Sequence, residues 1–185
     1  MPTQEPVQQP VTELDARYSS ALNPRPGAEE VAATDWAEAR RELGTAEIFW
    51  LSTVRPDGRL HVTPVIAAWH EGVLYFSTGP AEQKAKNLAH HGHCALTTGT
   101  KSLTEGLDLV IEGTAERVAD PAVLEKVITA YEGKYGAHIT SPEGTFHGMS
   151  DAFRKGDVAV FAVAPSTAYG FGRDDGVFTH TRWSF

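Results

Sequence analysis

Residues 48–65 read IFWLSTVRPDGRLHVTPV, and this stretch is the strongest indication of the fold in the sequence. Aromatic and β-branched residues dominate Ile48–Val54, which is typical of a strand with one buried face. Pro56 and the pair Asp57-Gly58 then favour a tight turn, because glycine readily adopts the positive φ that such turns need. The chain returns as a second strand from Leu60, so the segment predicts a β-hairpin.

Pro64 indicates where this hairpin lies in a sheet. The returning strand is predicted to run from Leu60 to Trp69, and Pro64 lies inside it. Proline has no N–H to donate, so a paired central strand would not tolerate it. Pro64 therefore predicts a sheet edge, a bulge, or a stretch whose backbone faces something other than a strand.

Further strands follow along the chain, and residues typical of turns separate them. The predicted strands are Val73–Thr78, His93–Thr100, Leu107–Val118, Asp157–Ala164, Ala168–Arg173 and Val177–Trp183. Many short antiparallel strands with few helices predict a mainly β fold with flanking helices, closed as a barrel.

Three helices are predicted to flank the strands. The first has Thr34 as its N-cap and Gly44 just after its end. The second spans Pro80–His91. The third follows Asp120 as N-cap, with Pro121 at the first helical position. Its apolar residues have the spacing of a helix that packs on a sheet: Leu124, Val127, Ile128 and Tyr131.

The chain divides into an arm and one domain. Residues 1–33 are rich in Pro, Gln and Glu and lack periodicity, which predicts a partly disordered N-terminal arm with a short helix near Thr12–Ser20. Residues 34–185 are long enough for one domain with its own core. Within them, Gly136–Lys155 is polar and irregular, as is typical of a lid or an interface loop.

Composition excludes several classes of protein. The chain has 41% hydrophobic and 22% charged residues and a formal net charge of −8, without the clustered Lys and Arg that would neutralise a nucleic acid. No apolar run approaches the length of a membrane span, and the polar start lacks the features of a secretory signal. The single cysteine, Cys94, excludes an internal disulfide and fits a reducing compartment. We therefore expect a cytoplasmic protein that binds neither nucleic acid nor membranes.

Two groups of residues are interpreted as structural. The cluster His90, His91, His93 and Cys94 straddles a helix end and a strand start, so the side chains diverge and no metal site is predicted. Trp36, Trp50 and Trp69 are interpreted as core or dimer residues, since large aromatic side chains usually serve burial.

The segment Tyr75–Asn87 carries the chemistry. A strand ends in Ser77 and Thr78, a Gly-Pro turn follows, and a helix then places Lys84 in an early turn. Backbone N–H groups at a helix start, hydroxyl groups and an ammonium group suit a phosphate. The alternative is a solvated helix in which Lys84 and Lys86 pair with Glu82. The local pattern leaves both interpretations open.

The chain resembles the pyridoxamine 5′-phosphate oxidase-like, flavin-binding split-barrel superfamily over about residues 36–185. It is most similar to the branch that uses FMN or the deazaflavin coenzyme F420. The resemblance is carried by an ordered set of segments: Trp50–Gly58, His61–Val65, Tyr75–Thr78, Lys84–Leu88, Ile111–Val118 and Thr181–Phe185. The fold that it implies is a split β-barrel.

The resemblance also implies a cofactor site at the interface of a homodimer. Strand residues from His61 would line the cofactor ring, and Arg182 with Trp183 would close the site from the partner subunit. Gln83 stands where the oxidase has arginine, which removes one charge and leaves room for the deazaflavin. The implied cofactor-binding residues are His61, Val62, Thr63, Pro64, Val65, Ser77, Thr78, Gln83, Lys84, Asn87, Arg182 and Trp183.

The function implied is an oxidoreductase that depends on FMN or coenzyme F420 and transfers hydride to or from a small organic substrate. A non-catalytic flavin- or haem-binding barrel, with a carrier or sensor role, is the alternative. Activity as a pyridoxamine 5′-phosphate oxidase is disfavoured, because the oxidase motif Arg-Leu-His-Asp-Arg does not occur in the chain. No catalytic acid or base is assigned; Tyr75, His61 and His147 qualify by residue type alone.

Overall fold

The computed structural model describes residues 9–15, 17, 31–174 and 176–185. The strands are β1 (Val11–Leu14), β2 (Phe49–Val54), β3 (Leu60–Val65), β4 (Ala67–His70), β5 (Val73–Thr78), β6 (His93–Thr98), β7 (Glu105–Arg117), β8 (Ala159–Asp174) and β9 (Val177–Ser184). The helices are α1 (Trp36–Thr45), α2 (Gln83–His90), α3 (Pro121–Tyr135), α4 (Ala137–Thr140) and α5 (Met149–Lys155).

These strands form a split β-barrel, as predicted. Antiparallel pairing runs in the order β1-β9-β8-β7-β6-β2-β3, while β5 pairs with both β8 and β4. Only Ile66 separates β3 from β4. The path β3-β2-β6-β7-β8-β5-β4 therefore returns to the same part of the chain and closes the barrel.

The long strand β8 joins the two halves of the barrel. Its first residues pair with β5, from Ala159↔Thr78 to Val163↔Leu74, and its later residues pair with β9. The sequence predicted two strands here, which is wrong, because β7 pairs with β8 along its whole length. The register of the β7–β8 pair shifts at Gly113, as at a β-bulge. A Cβ at this position would lie 2.4 Å from the Ala164 carbonyl oxygen, so only glycine fits.

The hairpin β2–β3 has the predicted form. Gly58 has φ +83 in its turn, and β3 is the last strand of its side of the sheet. Pro64 faces Trp50 across the hairpin, so its expected position on an edge strand is confirmed. The returning strand is nevertheless broken at Ile66, where the chain leaves β3 and enters β4.

The helix boundaries differ in detail from the sequence prediction. Asp35, not Thr34, caps α1, because its carboxylate accepts a hydrogen bond from the Ala37 N–H at 2.9 Å. Gly44 lies inside α1 rather than after it, and α2 starts at Gln83 rather than at Pro80. Capping depends on which side chain turns back to the backbone, and residue type alone leaves that undecided.

Helix α3 confirms its predicted start and its predicted face. The Asp120 carboxylate accepts from the Ala122 N–H at 2.8 Å, and Pro121 is the first residue of the helix. The apolar face of α3 packs on the outside of β4, β5 and β8. The buried residues of this outer core include Ala68, Tyr75, Val127, Ile128, Tyr131 and Val160.

Two segments contain regular structure where little was predicted. Val11–Leu14 pairs with Thr181–Ser184 as a strand, so these residues do not begin a helix. The rest of the predicted helix near Thr12–Ser20 falls largely outside the described residues. The segment Gly136–Lys155 contains α4 and α5, and it buries Ile139 and Phe153 against the outer core, so it is not an irregular loop throughout.

The main core fills the barrel. Trp36 reaches it from α1, with ring centroids 5.9 Å from Trp69 and 5.2 Å from Trp183. The core roles predicted for Trp36 and Trp69 are confirmed, whereas Trp50 is exposed. Among the described helices, none is both long and apolar enough to cross a lipid bilayer.

Candidate functional site

Buried polar side chains concentrate at one place in the described part of the chain. Among all described residues, five polar or charged side chains are buried. Four of them lie around the start of α2: Thr53, Thr78, Lys84 and Asn87. Burying polar groups is costly unless they are paired, so their concentration marks a site rather than ordinary packing. We call Thr53, His61, Thr78, Glu82, Lys84 and Asn87 the Lys84 cluster.

The local structure explains why these residues meet. Strand β5 ends at Thr78, and α2 begins at Gln83, which puts Lys84 in the first helical turn. Asn87 lies three residues later and therefore shares a face of the helix with Lys84. On β2, Phe49, Leu51 and Thr53 alternate inward, so Thr53 is the polar member of a buried row.

A chain of hydrogen bonds fixes α2 to the barrel. The Asn87 side-chain amide donates to the Thr53 hydroxyl at 2.9 Å, and that hydroxyl lies 3.4 Å from the His61 carbonyl oxygen. The Gln83 amide donates to Asn87 Oδ1 at 2.7 Å. Gln83 thus positions Asn87, and it adds no charge where the oxidase has arginine.

Glu82 and Lys84 form an ion pair at the start of the helix. One Glu82 oxygen accepts from the Gly79 N–H at 2.9 Å, and the other accepts from the Lys84 ammonium. The hydrogen bond from Lys84 lowers the pKa of Glu82 below its usual value, against the opposing effect of burial. The Glu82–Lys84 pairing that was one alternative is therefore present, but Lys84 is buried rather than solvated.

His61 adds a second kind of polar group to the cluster. It faces Thr53 across the β2–β3 hairpin, and its Nδ1 is buried without a hydrogen-bond partner among the described residues. Burial, followed by the nearby charges of Arg55 and Lys84, lowers the pKa of His61. Arg55 and Lys84 therefore supply the positive charge around this imidazole.

The structure brings together only part of the implied cofactor site. Gln83, Lys84, Asn87, Thr78 and His61 meet as expected. Thr63 and Val65 lie on the same side of β3 as His61, whereas the alternation of a strand turns Val62 and Pro64 to the other side.

Ser77 does not join Thr78 in the cluster. Successive residues of a strand point to opposite faces, and the Ser77 side chain lies beside the Tyr131 hydroxyl of α3. The Ser77 and Thr78 hydroxyls therefore lie on opposite sides of β5, and the structure does not bring them together.

Arg182 and Trp183 also lie away from the Lys84 cluster. Trp183 has no exposed surface and packs in the barrel core, so its ring is not available to close a site. Arg182 points to the outside, 3.6 Å from the Glu13 carboxylate of β1. Neighbouring residues of β9 face opposite sides, so Trp183 faces the core while Arg182 faces outward.

Sequence reasoning missed the part played by Thr53 and the hydrogen bond between Glu82 and Gly79. The alternation Phe49, Leu51, Thr53 could have identified Thr53, since a hydroxyl at an inward position needs a buried partner. No local signal shows that Glu82 turns back to Gly79. Of the residues with acid–base chemistry, His61 belongs to the cluster, whereas Tyr75 packs in the outer core.

The His-Cys segment after α2 has the structural character that was expected of its thiol. Cys94 is buried, and burial raises its pKa to about 12, so the thiol stays protonated at neutral pH. The rings of His91 and His93 lie 5.0 Å apart. Within the described ranges, no three metal-ligating side chains come together.

A closed antiparallel barrel with flanking helices defines the chain as a split-barrel protein. Residues 36–171 match the family model described as pyridoxamine 5′-phosphate oxidase. The chain therefore belongs to the pyridoxamine 5′-phosphate oxidase-like family. No curated protein matches it in sequence.

Solved structures share this fold. A conserved hypothetical protein of Mycobacterium tuberculosis is 21% identical, with a TM-score of 0.64, over 75% of this chain and 85% of that one. A haem-binding protein of Mycobacterium smegmatis is 16% identical, with a TM-score of 0.59, over 77% of this chain and 56% of that one. A haem storage protein of Vibrio cholerae is 18% identical, with a TM-score of 0.53, over 70% of this chain and 87% of that one. Identities this low show the fold alone.

Proposed function

We propose that this protein is an oxidoreductase that binds FMN or coenzyme F420 and holds the anionic tail of the cofactor at Lys84. The observation that carries the proposal is the buried ammonium of Lys84 in the first turn of α2. A buried lysine beside backbone and hydroxyl donors is a strong anion site, because its charge is poorly screened by water. Membership of the family supports a flavin-type ligand.

The residues of the cluster fit such a tail. The Lys84 ammonium and the Gly79 N–H already hold a carboxylate, so they have the geometry to hold a phosphate oxygen. The imidazole of His61 lies near the Lys84 ammonium and adds a further polar group beside them. Asn87 and Thr53 keep the helix in place and do not take part directly, since each is occupied by the other.

The division of labour follows from these contacts. The cofactor, when bound, supplies the hydride chemistry, while the chain binds it, orients it and excludes water. Lys84 binds the tail and the edge strand β3 lies beside the cluster, so the ring would extend along β3. Pro64 suits that position because its backbone nitrogen needs no partner.

The direct test is the absorbance spectrum of the purified protein with added FMN, coenzyme F420 or haem, followed by turnover. We expect FMN or F420 to bind and the reduced cofactor to be reoxidised by an acceptor such as a quinone or an enone. Tight flavin binding without turnover across a broad panel of acceptors would favour the carrier. A haem spectrum without flavin binding would contradict the proposal.

We also propose that two copies of the chain form a dimer through the outer side of the β2–β3 hairpin. Eight large apolar side chains are exposed in the described part, and four of them, Ile48, Trp50, Leu60 and Val62, are clustered on this hairpin. An apolar patch on an edge strand is a typical interaction surface. A second copy suits it, since a two-fold axis would pair the patch with itself beside the cofactor strand.

Trp50→Ser should weaken this dimer about tenfold or more, because buried aromatic side chains dominate interface energies. Trp50 is 51% exposed in the single chain, so the substitution removes little intramolecular packing. Light scattering during size exclusion, over a dilution series, measures the change. Leu103→Ser is the matched control, since Leu103 is exposed outside the patch. A monomeric wild-type protein at micromolar concentration would refute the dimer.

A further inference from the structure

We propose that Glu82 selects the cofactor by the charge of the phosphate group held at Lys84, and that it favours a singly charged phosphodiester over a doubly charged phosphomonoester. The inference rests on the proposed function, because it concerns the same Lys84 site. It follows from three observations on the start of α2: what Glu82 holds, which charges remain there, and how freely the Glu82 side chain can move.

Glu82 occupies the donors that an anionic tail would use. Its carboxylate accepts from the Gly79 N–H at 2.9 Å and from the Lys84 ammonium. An N-cap side chain normally bonds to its own helix, but Glu82 makes no such bond and turns back to the preceding turn. Gly79 permits this approach, since a Cβ there would lie 3.1 Å from the nearer Glu82 oxygen. The Glu82 carboxylate therefore occupies the position that the anionic tail of a cofactor would take.

Little net positive charge remains at the start of α2 once Glu82 is paired. Lys84 and Glu82 cancel each other, Gln83 is neutral, and burial lowers the pKa of His61, which disfavours its charged form. Arg55 is the further positive charge close enough to act on His61. A phosphomonoester carries about −1.5 to −2 at pH 7, whereas a phosphodiester carries about −1. Repulsion from Glu82 therefore rises with the charge of the tail.

Glu82 can move aside, at a cost that depends on the tail. Its side chain is 52% exposed, whereas that of Lys84 is 10% exposed. The carboxylate can therefore turn to water while the ammonium stays in place. A displaced Glu82 carboxylate still lies close to the bound phosphate group, so it continues to repel a dianion more than a monoanion.

Three flavin-type probes form a charge series at this position. Riboflavin ends in a hydroxyl group, coenzyme F420 continues as a phosphodiester, and FMN ends in a phosphomonoester. Fluorescence titration of the full chain gives Kd for each probe with wild type, Glu82→Gln and Glu125→Gln. Glu125 is the matched control, because it also pairs with a cationic side chain, Arg154, but on the exposed side of α3.

Glu82→Gln should tighten FMN about 5- to 20-fold, F420 about two- to fourfold, and riboflavin not at all, as expected for one partly exposed like-charge contact. Glu125→Gln should change none of them. Equal effects on all three probes, or weaker FMN binding in Glu82→Gln at unchanged Tm, would overturn the selection by charge. If Glu82→Gln is unstable, Glu82→Ser gives the same comparison without the amide.

The outcomes separate this inference from the proposed function. If FMN and F420 bind through Lys84, but their ratio of Kd values is the same with and without the Glu82 carboxylate, only the selection is wrong. If neither cofactor binds to wild type or to any Glu82 variant, the proposed function fails and the selection falls with it.

Discussion

Trp183→Ala is expected to lower the free energy of unfolding by about 3–5 kcal/mol, the usual cost of removing a large aromatic side chain from a core. Trp183 has no exposed surface, and its ring lies 5.2 Å from that of Trp36. Strand β8 leaves room for the Trp183 side chain at Gly170, because a Cβ on Gly170 would lie 2.5 Å from the Trp183 ring. Urea unfolding followed by circular dichroism measures the loss.

The neighbouring residue of the same strand provides the control. Arg182 is on the outer face of β9 and makes a surface ion pair with Glu13, so Arg182→Ala should change stability by about 0.5 kcal/mol or less. Trp183→Phe should cost less than Trp183→Ala, because it keeps much of the packing and removes an indole N–H that has no partner among the described residues. A Trp183→Ala variant that is stable but fails to bind flavin would contradict the core role and would assign the Trp183 ring to the cofactor site.

Lys84→Ala should weaken binding of FMN or F420 by about 1.5–3 kcal/mol, or about 10- to 150-fold in Kd, the usual worth of a hydrogen bond to a charged group. The ammonium is the buried cation of the cluster, so water cannot easily replace it. Fluorescence titration of the cofactor measures the change. Removing Lys84 also frees Glu82, whose uncompensated carboxylate would repel the tail further.

Lys86→Ala is the matched control for this prediction. Lys86 lies on the same helix, two residues further on, but it is exposed. Its charge is screened by water, and its removal should change Kd by no more than about twofold. Unchanged affinity in Lys84→Ala would place the anionic tail elsewhere. An equal loss in both variants would indicate a diffuse charge effect rather than a built site.

The two residues before Lys84 give this branch of the fold its own character. Gln83 replaces a fixed positive charge by an amide that positions Asn87, and Glu82 adds a negative charge at the same place. Both changes reduce the attraction for a dianion. Under the proposed function, the choice between FMN and a phosphodiester cofactor therefore depends on three consecutive residues at one helix start.

The hairpin and the helix start could be predicted from sequence because their determinants are local. Gly58 after Asp57 fixes the turn through its φ, and Pro64 excludes a central strand whatever the rest of the chain does. Asp120 and Pro121 likewise define the start of α3. Each of these features depends on backbone sterics or capping within a few residues.

Which residues come together at the Lys84 cluster could be predicted only in part. The resemblance grouped His61 with Lys84, which are remote in sequence. They meet because β2 pairs with β3 and is also bonded to α2. The resemblance also grouped Ser77 and Trp183 with them, and strand alternation together with core packing turned those two side chains elsewhere.

The order of residues was enough to predict that the chain is mainly β, where its principal hairpin turns, and that Lys84 follows a strand end at a helix start. The folded chain was needed to show that Lys84 is buried, that Glu82 pairs with it, and that Trp183 belongs to the core. The reason is physical: turns and caps are set by neighbours along the chain, whereas burial and ion pairing are set by strands that come together from distant parts of it.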